Sequence, residues 1–495
     1  MTTTREPTGA EISDGTPKTA LSGSLGVGSI VFMVVAAAAP LTVIGGSAPL
    51  GILLGDGVGF PALFAISAVV LLLFSVGFVA MARVIPKPGG FFTYVGHGLG
   101  KPAGLATAYL ALLTYTAVQI AVHGYVGYIL SVTIKSIGGP DLPWWLYSLA
   151  VILVVGVLGY RHIDLSSRVL GVLLIGEVGI VLVLAAAVII SGGPEGLSLA
   201  PFAPSAVVSG SPGIGLMFAI AAFIGFESTA IFRDEARTPH RTIPRATYIA
   251  VIGIGVFYTF ASWALVMAWG PSKVVAQAAK DPGSMVILTT LKYLGPVGEA
   301  VLNILLITSM FACVLSFHNV ISRYQHSMSN FGLLPTRIAA VHPKHLSPHF
   351  SSLAQTVTAG ALIGLSAVLH LDPVLDVFTW FAGVSTLAIA ILMSITSIAV
   401  VVYFARTKSD RRVWNTVVAP ILGLVGLIAS AIIIAANFPF LVGDVNAKGV
   451  PVFGLVSGIL LGIIVLFPVA GLVQAAILRR RNSAAYESIT DAISG

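Results

Sequence analysis

Charge is scarce in this sequence: Asp, Glu, Lys and Arg make up 9% of its 495 residues, against 57% hydrophobic. Soluble domains carry about 25% charged residues, so a water-soluble globular fold is excluded. The mean hydropathy of +0.99 places the chain in a lipid bilayer. Cysteine occurs once, at Cys313, which excludes an intramolecular disulfide and a Cys-rich metal site. A Walker-type glycine loop is missing, which disfavours ATP-driven transport. No metal or cofactor is implied, because His123 and His318 lack partners at ligand spacing. The sparse intramembrane polar groups form no nucleophile–base pair at a recognisable spacing, so an enzyme is not expected. Residues 1–24 contain no apolar run. The expectation there is a disordered cytoplasmic tail and no cleaved signal peptide.

What the chain has in quantity is long apolar runs. A membrane span needs about 20 mainly apolar residues. On that template twelve helices are expected, near 25–53, 61–82, 102–134, 143–160, 166–190, 212–232, 246–269, 293–328, 350–370, 374–404, 413–437 and 451–478. With the N-terminus inside, 21 of the 26 Lys and Arg residues fall on the inner side, leaving Lys135, Lys273, Lys280, Lys292 and Lys448 outside. The positive-inside rule then puts both termini in the cytoplasm of a multi-pass plasma-membrane protein. The same scatter of basic residues through short loops explains the net charge of +7 without a nucleic-acid partner.

Two spans are poor uniform helices. The first contains Ala38-Ala39-Pro40-Leu41-Thr42-Val43, followed by Gly45-Gly46 and Pro49. Proline removes a helix donor and clashes with the preceding turn, so Pro40 is expected to kink or open the span. The sixth contains Ile224-Gly225-Phe226-Glu227-Ser228, a glycine break beside a carboxylate at membrane depth. Such a carboxylate costs roughly 2.5–3.5 kcal/mol to insert and is usually buried in protein and functional. Interrupted helices at matching positions of two five-helix halves point to an inverted-repeat transporter with a midplane site.

The stretch IGFES followed by DEARTPHRTIPRA resembles the sixth-helix signature of the amino acid–polyamine–organocation (APC) permeases. Three more stretches resemble that family in the same order. They are Ala39-Pro40-Leu41-Thr42-Val43, Pro88-Gly89-Gly90 through Gly98-Leu99-Gly100, and Ser322-Arg323 through Gly332-Leu333-Leu334-Pro335. The resemblance covers about residues 25–480. It implies an all-α membrane fold of two inverted five-helix repeats, 25–190 and 191–404, with helices 11 and 12 (405–480) outside the core and a cytoplasmic tail at 481–495. It also implies a substrate held between the breaks of helices 1 and 6. The carboxylate cradle would be Leu41, Thr42 and Val43, and the ammonium would meet carbonyls around Ala38, Ala39, Ala221, Ile224 and Gly225. Two positions depart from the family pattern. Many members have Gly-Ser-Gly where this chain has Pro40-Leu41-Thr42, and many have a bulky aromatic lid where this chain has Ala221. Phe218, Phe223 or Phe226 are candidates for the lid.

Other polar groups fall into roles with alternatives. Glu177 in span 5 is a proton-coupling candidate or a structural acid. Glu227 could carry a proton, meet the substrate or brace helix 6. Tyr115, Gln119 and His123 share one face of span 3, as pocket lining or as interhelical glue. Ser309, Cys313 and Ser316 form a stripe on span 8, where small residues also permit close packing. Trp380 and Phe381, with Ser385, could wall the pocket from span 10. Asp234, Glu235 and Arg241 in the charged inner loop could gate by salt bridges. The expected function is a secondary importer of an amino acid or amine, working by alternating access as a monomer or homodimer, with a proton as coupling ion. Sodium coupling or exchange is the alternative. A channel or sensor is remote, since no ring of pore charges or sensory domain is visible.

Overall fold

The computed structural model describes residues 25–85, 90–161, 167–330, 332–345, 347–448, 450–481 and 486. The expected tail at 1–24, that at 481–495 except residues 481 and 486, Pro88 and Gly89 of the family-like stretch ending at Gly100, and the side chains of Asp234 and Glu235 lie outside the described residues. Hydrocarbon offers backbone amides no water, so apolar runs must satisfy their own hydrogen bonds, and helices do so segment by segment. The principal helices are α1 (Val27–Ala37), α2 (Phe60–Val84), α3 (Lys101–Ser136), α4 (Trp144–Tyr160), α5 (Ser167–Ser191) and α6 (Pro212–Ala221). They continue with α7 (Pro239–Trp269), α8 (Met285–Asn330), α9 (His349–Val368), α10 (Thr379–Thr407), α11 (Ala419–Leu441) and α12 (Leu455–Arg481). Among the described residues the only extended pairing is two isolated bridges, Leu25 with Ala236 and Val445 with Pro451.

Ten stretches among the described residues are long and apolar enough to cross a bilayer, and Trp144–Tyr160 is a shorter apolar helix. One of the ten, Val27–Val84, has 58 residues. At 1.5 Å per residue that far exceeds a hydrocarbon core of about 30 Å. The chain turns within it at Gly57, with φ 57° and ψ −120°. Two stretches read as loops from the sequence are helical. Phe91–Leu99 precedes α3, and α8 starts at Met285 before a break at Gly295, φ 69°. Met285, Val286 and Ile287 are buried and hold that first segment in place, although the apolar run is too short to be read as a span.

The two interrupted helices cross at the centre. α1 packs on the 3₁₀ segment Phe226–Glu235, while α6 packs on Gly51–Asp56, the distal end of the first span. Each half-helix thus meets the opposite half of the other break, as expected of inverted repeats. At the α6 end the backbones touch: a Cβ on Gly55 would lie 2.8 Å from Gly215 Cα. The other end of the bundle, where Leu25 pairs with Ala236, carries Arg83, Arg233, Arg241 and Arg323. It is called the basic end below. Large apolar side chains point outward from α5, α9, α11 and α12, including Val172, Ile175, Val357, Val425, Leu466 and Val469. Such a surface is stable against acyl chains and would aggregate in water.

Candidate functional site

Span 1 opens one residue before the proline. Pro40 disfavours the α conformation at the residue before it, and Ala39 sits in the left-handed region at φ 47°, ψ 70°. For a non-glycine residue that conformation costs roughly 1–2 kcal/mol. Pro40 therefore begins the second half-helix, where a missing N–H does no harm. The expected opening is present, with the distortion displaced onto Ala39. The Ala38 carbonyl leaves the helix ladder and accepts a long hydrogen bond from the Tyr258 hydroxyl, 3.4 Å. The first amide of the new half-helix, Leu41 N–H, donates to Glu177 Oε2 at 3.4 Å.

Span 6 opens after α6. Residues 222–225 form turns, and Gly225 takes φ 113°, ψ −19° before the 3₁₀ segment begins. A positive φ of this size is comfortable only for glycine. Glu227 closes the break. Its Oε2 accepts the Gly225 N–H at 2.9 Å, and its Oε1 accepts the Tyr115 hydroxyl of α3 at 2.7 Å. Tyr115 is in turn packed by Phe317 and Tyr324 of α8, ring centroids 6.1 and 5.6 Å away.

Glu177 of α5 is buried and joins three elements. The Ser309 hydroxyl of α8 donates to Glu177 Oε2 at 2.7 Å, and Thr42 Oγ1 donates to Ser309 Oγ at 3.4 Å. With the Leu41 amide, this carboxylate ties the span 1 break to α8 and α5. Half-helix N-termini attract negative charge, so an acid at this point is electrostatically favoured. Placed so, it can take up or give up a proton next to the break.

Between the breaks lies a cavity of about 50 Å³. From span 1 it is lined by Ala37, Ala38, Ala39, Thr42, Val43 and Ser47, and from span 6 by Ala221 and Ile224. Val118, Ala121 and Val122 of α3 form one wall; Cys313 and Phe317 of α8, with Phe378, Ala382 and Ser385, form the others. A second space of about 220 Å³ lies towards the basic end, bordered by Met33, Tyr115, Gly225, Glu227, Phe232 and Arg323. Ala37 and Phe317 border both spaces, so the Phe317 ring stands between them.

The structure brings only part of the candidate set together. Ala38, Ala39, Thr42, Val43, Ala221 and Ile224 face the cavity. Leu41 contributes its amide to Glu177 while its side chain is buried elsewhere. Gly225 faces the second space. Gln119 does not line the cavity. Its amide donates to the Val314 carbonyl at 3.2 Å and accepts from Gln355 at 2.6 Å, which makes it interhelical glue. Trp380 and Phe381 are also displaced: the same helical stretch presents Phe378, Ala382 and Ser385 instead. Phe223 packs edge-on against Tyr258, and Phe226 against Phe74, at 6.4 and 6.1 Å. Phe218 is fully buried in the core, so none of the three lies over the cavity. Arg241 is exposed at the basic end. Phe317 and Phe378 escaped sequence reading. The available signal for Phe317 was its position one turn beyond Cys313 on the span 8 stripe.

A family model described as amino acid permease matches residues 20–467. The branched-chain amino acid permease BcaP of Bacillus subtilis (strain 168) is 23% identical over 359 residues, 68% of this chain and 73% of that protein. The aspartate-proton symporter of the same organism is 23% identical over 195 residues, 38% of each chain, so this match spans well under half of that relative. Among solved structures, the Eremococcus coleocola manganese transporter, crystallised with an aromatic bis-isothiourea compound, superposes with a TM-score of 0.54 at 16% identity. That superposition covers 97% of this chain and 98% of the other, and it speaks to the fold alone.

Proposed function

The chain belongs to the amino acid permease family, and from that premise we propose that it imports an amino acid or related amine across the plasma membrane by alternating access, driven by protons. The observation that carries this reading is a cavity between two helix breaks, with the Glu177 carboxylate held on the Leu41 amide of the first break. A substrate carboxylate is drawn to the amide end of the span 1 break, where Leu41 N–H is held by Glu177 and Val43 N–H by the Ala39 carbonyl, and a substrate ammonium to the carbonyls of Ala38, Ala221 and Ile224. The conformation is close to inward-facing. Gly55 and Gly215 approach closely at the end opposite the basic end, and Ala37 and the Phe317 ring stand between the cavity and the space bordered by Arg323. The basic end is the cytoplasmic one, with both termini on that side.

In this reading Glu177 is the coupling acid. Protonated, it surrenders its charge beside the break and lets a substrate carboxylate approach. Ionised again, it pulls the Leu41 amide and Ser309 back together. Glu227, occupied by Tyr115 and Gly225, braces the span 6 break instead of carrying the proton. A second reading has a specific basis, because Glu177 Oε2, Ser309 Oγ and Thr42 Oγ1 together form an oxygen set that could also take sodium. Uptake of labelled amino acids and amines into proteoliposomes separates the two. Accumulation driven by an inward pH gradient without sodium is expected; accumulation that needs sodium and ignores pH overturns the proton assignment.

A further inference from the structure

We propose that the cargo is an α-amino acid with a small, uncharged, aliphatic side chain. This rests on the transporter reading above and adds the substrate class. Once the two helix breaks have taken the carboxylate and the ammonium, the walls that remain for the side chain are Val118, Ala121, Val122, Ile224, Phe378 and Ala382. Among the described residues that line the cavity, none is Asp, Glu, Lys, Arg or His.

Four polar side chains reach it, Thr42, Ser47, Cys313 and Ser385, all of them uncharged groups, and two are already engaged. The Ser385 hydroxyl donates to the Thr114 carbonyl at 2.9 Å, and Thr42 donates to Ser309. The two nearby acids stand behind the breaks. Each carboxylate is hydrogen-bonded to protein donors, Glu177 by Ser309 and Leu41 and Glu227 by Tyr115 and Gly225. The second ammonium of a diamine, or of lysine, would therefore enter without a carboxylate facing it, and the side-chain carboxylate of aspartate would meet no cation. Burying such a charge unpaired is strongly unfavourable. Discrimination against charged side chains is expected to be about 100-fold or more on the insertion cost of a charge. Size is set by three methyl groups, Ala121, Ala221 and Ala382, which leave room where larger side chains would fill the cavity.

The test is competition for uptake of labelled L-alanine and L-valine by the full-length protein in proteoliposomes. Unlabelled alanine, valine, leucine, aspartate, lysine and putrescine serve as competitors. The expected result is inhibition by the three aliphatic amino acids, with aspartate, lysine and putrescine weaker by about 100-fold. If aspartate or putrescine competes as well as valine, the aliphatic assignment is overturned while the transporter reading stands. If labelled alanine and valine are not taken up but labelled aspartate, lysine or putrescine is, the aliphatic assignment is overturned; if none of these labelled compounds is taken up under any ion gradient, the transporter reading falls, and the assignment with it. Ala121→Phe supplies a second readout. It should raise the KM for leucine at least tenfold more than that for alanine, whereas an equal change for both would show that this wall does not contact the side chain.

Discussion

Replacing Glu177 by glutamine removes one ionisable group from the membrane interior and changes little in shape. The amide oxygen can still accept from Ser309, now 2.7 Å from Oε2, and from the Leu41 amide at 3.4 Å. A hydrogen bond to a charged group contributes about 1.5–3 kcal/mol and a neutral one about 0.5–1.5 kcal/mol. The 3.4 Å contact is at the weak end of hydrogen-bond geometry. The structural loss is therefore about 1 kcal/mol, a few degrees in the unfolding midpoint at most for a chain of this size. The functional loss is of another order. With one proton per substrate, a gradient of one pH unit supplies 1.36 kcal/mol and can sustain about tenfold accumulation.

Glu177→Gln should therefore fall from about tenfold accumulation to simple equilibration while still exchanging internal for external substrate in the absence of any gradient. The assay is paired: pH-driven uptake and gradient-free counterflow in the same proteoliposomes, with Glu177→Ala as a packing control. Tenfold pH-driven accumulation by the glutamine variant would refute the coupling role. Loss of both activities together would instead mark Glu177 as a brace for the span 1 break, and the charge argument would have failed equally.

Three further outcomes follow from the geometry. Tyr115→Phe leaves Glu227 Oε1 without its 2.7 Å donor in a buried position. It should destabilise the detergent-solubilised protein by about 1–3 kcal/mol, read as a lower unfolding midpoint, and an unchanged midpoint would show that the brace is not needed. Gly225→Ala forces a side chain into φ 113° although a Cβ there meets nothing closer than 3.8 Å. The penalty is thus conformational, about 1–2 kcal/mol, and transport should fall with little loss of expression, whereas wild-type uptake would mean that the break tolerates relaxation. Phe317→Ala removes the ring between the cavity and the basic-end space. The sole cysteine, Cys313, is 4% exposed and lines the cavity behind that ring, so its rate of labelling by a small maleimide should rise severalfold; an unchanged rate would deny Phe317 the role of an inner lid.

The fold was readable because the bilayer permits few solutions. Apolar runs become helices wherever they are long enough, and α7 or α11 needed nothing beyond hydropathy. The helix breaks were readable for a local reason, since Pro40 and Gly225 restrict the backbone whatever surrounds them. What could not be read was rotation about a helix axis. Gln119 and Ala121 differ by two positions on α3, yet one bonds Gln355 and the other faces the cavity. Trp380 and Phe381 were attractive as aromatics, while the cavity takes Phe378 and Ala382. In a span buried on most sides the hydrophobic pattern has almost no direction, so only tertiary contacts decide which face meets the substrate. The sequence also points to Pro40 as the site of strain, and the chain carries it on Ala39, because a proline disfavours the α conformation of the residue before it.

The two intramembrane acids gain distinct meanings from that placement. Both sit at breaks; the sequence offers Glu177 as a coupling or structural acid and Glu227 as a proton carrier, a substrate contact or a brace of helix 6. Glu227 is bound within its own segment, through Gly225, and to one neighbouring helix through Tyr115. Its bonds survive any rigid movement that carries span 6 and α3 together. Glu177 lies on α5 and reaches both the first span and α8, so any motion of α1 and the half-helix after it relative to α8 must stretch its bonds. A charge that is stabilised in one arrangement of those helices and released in another is what a coupled transporter requires, because an ion can only shift a conformational equilibrium through unequal interaction with its two states. Glu177 meets that condition by position. Glu227 does not, and this asymmetry, more than the depth of either carboxylate in the membrane, is the ground on which we propose α5 as the proton carrier.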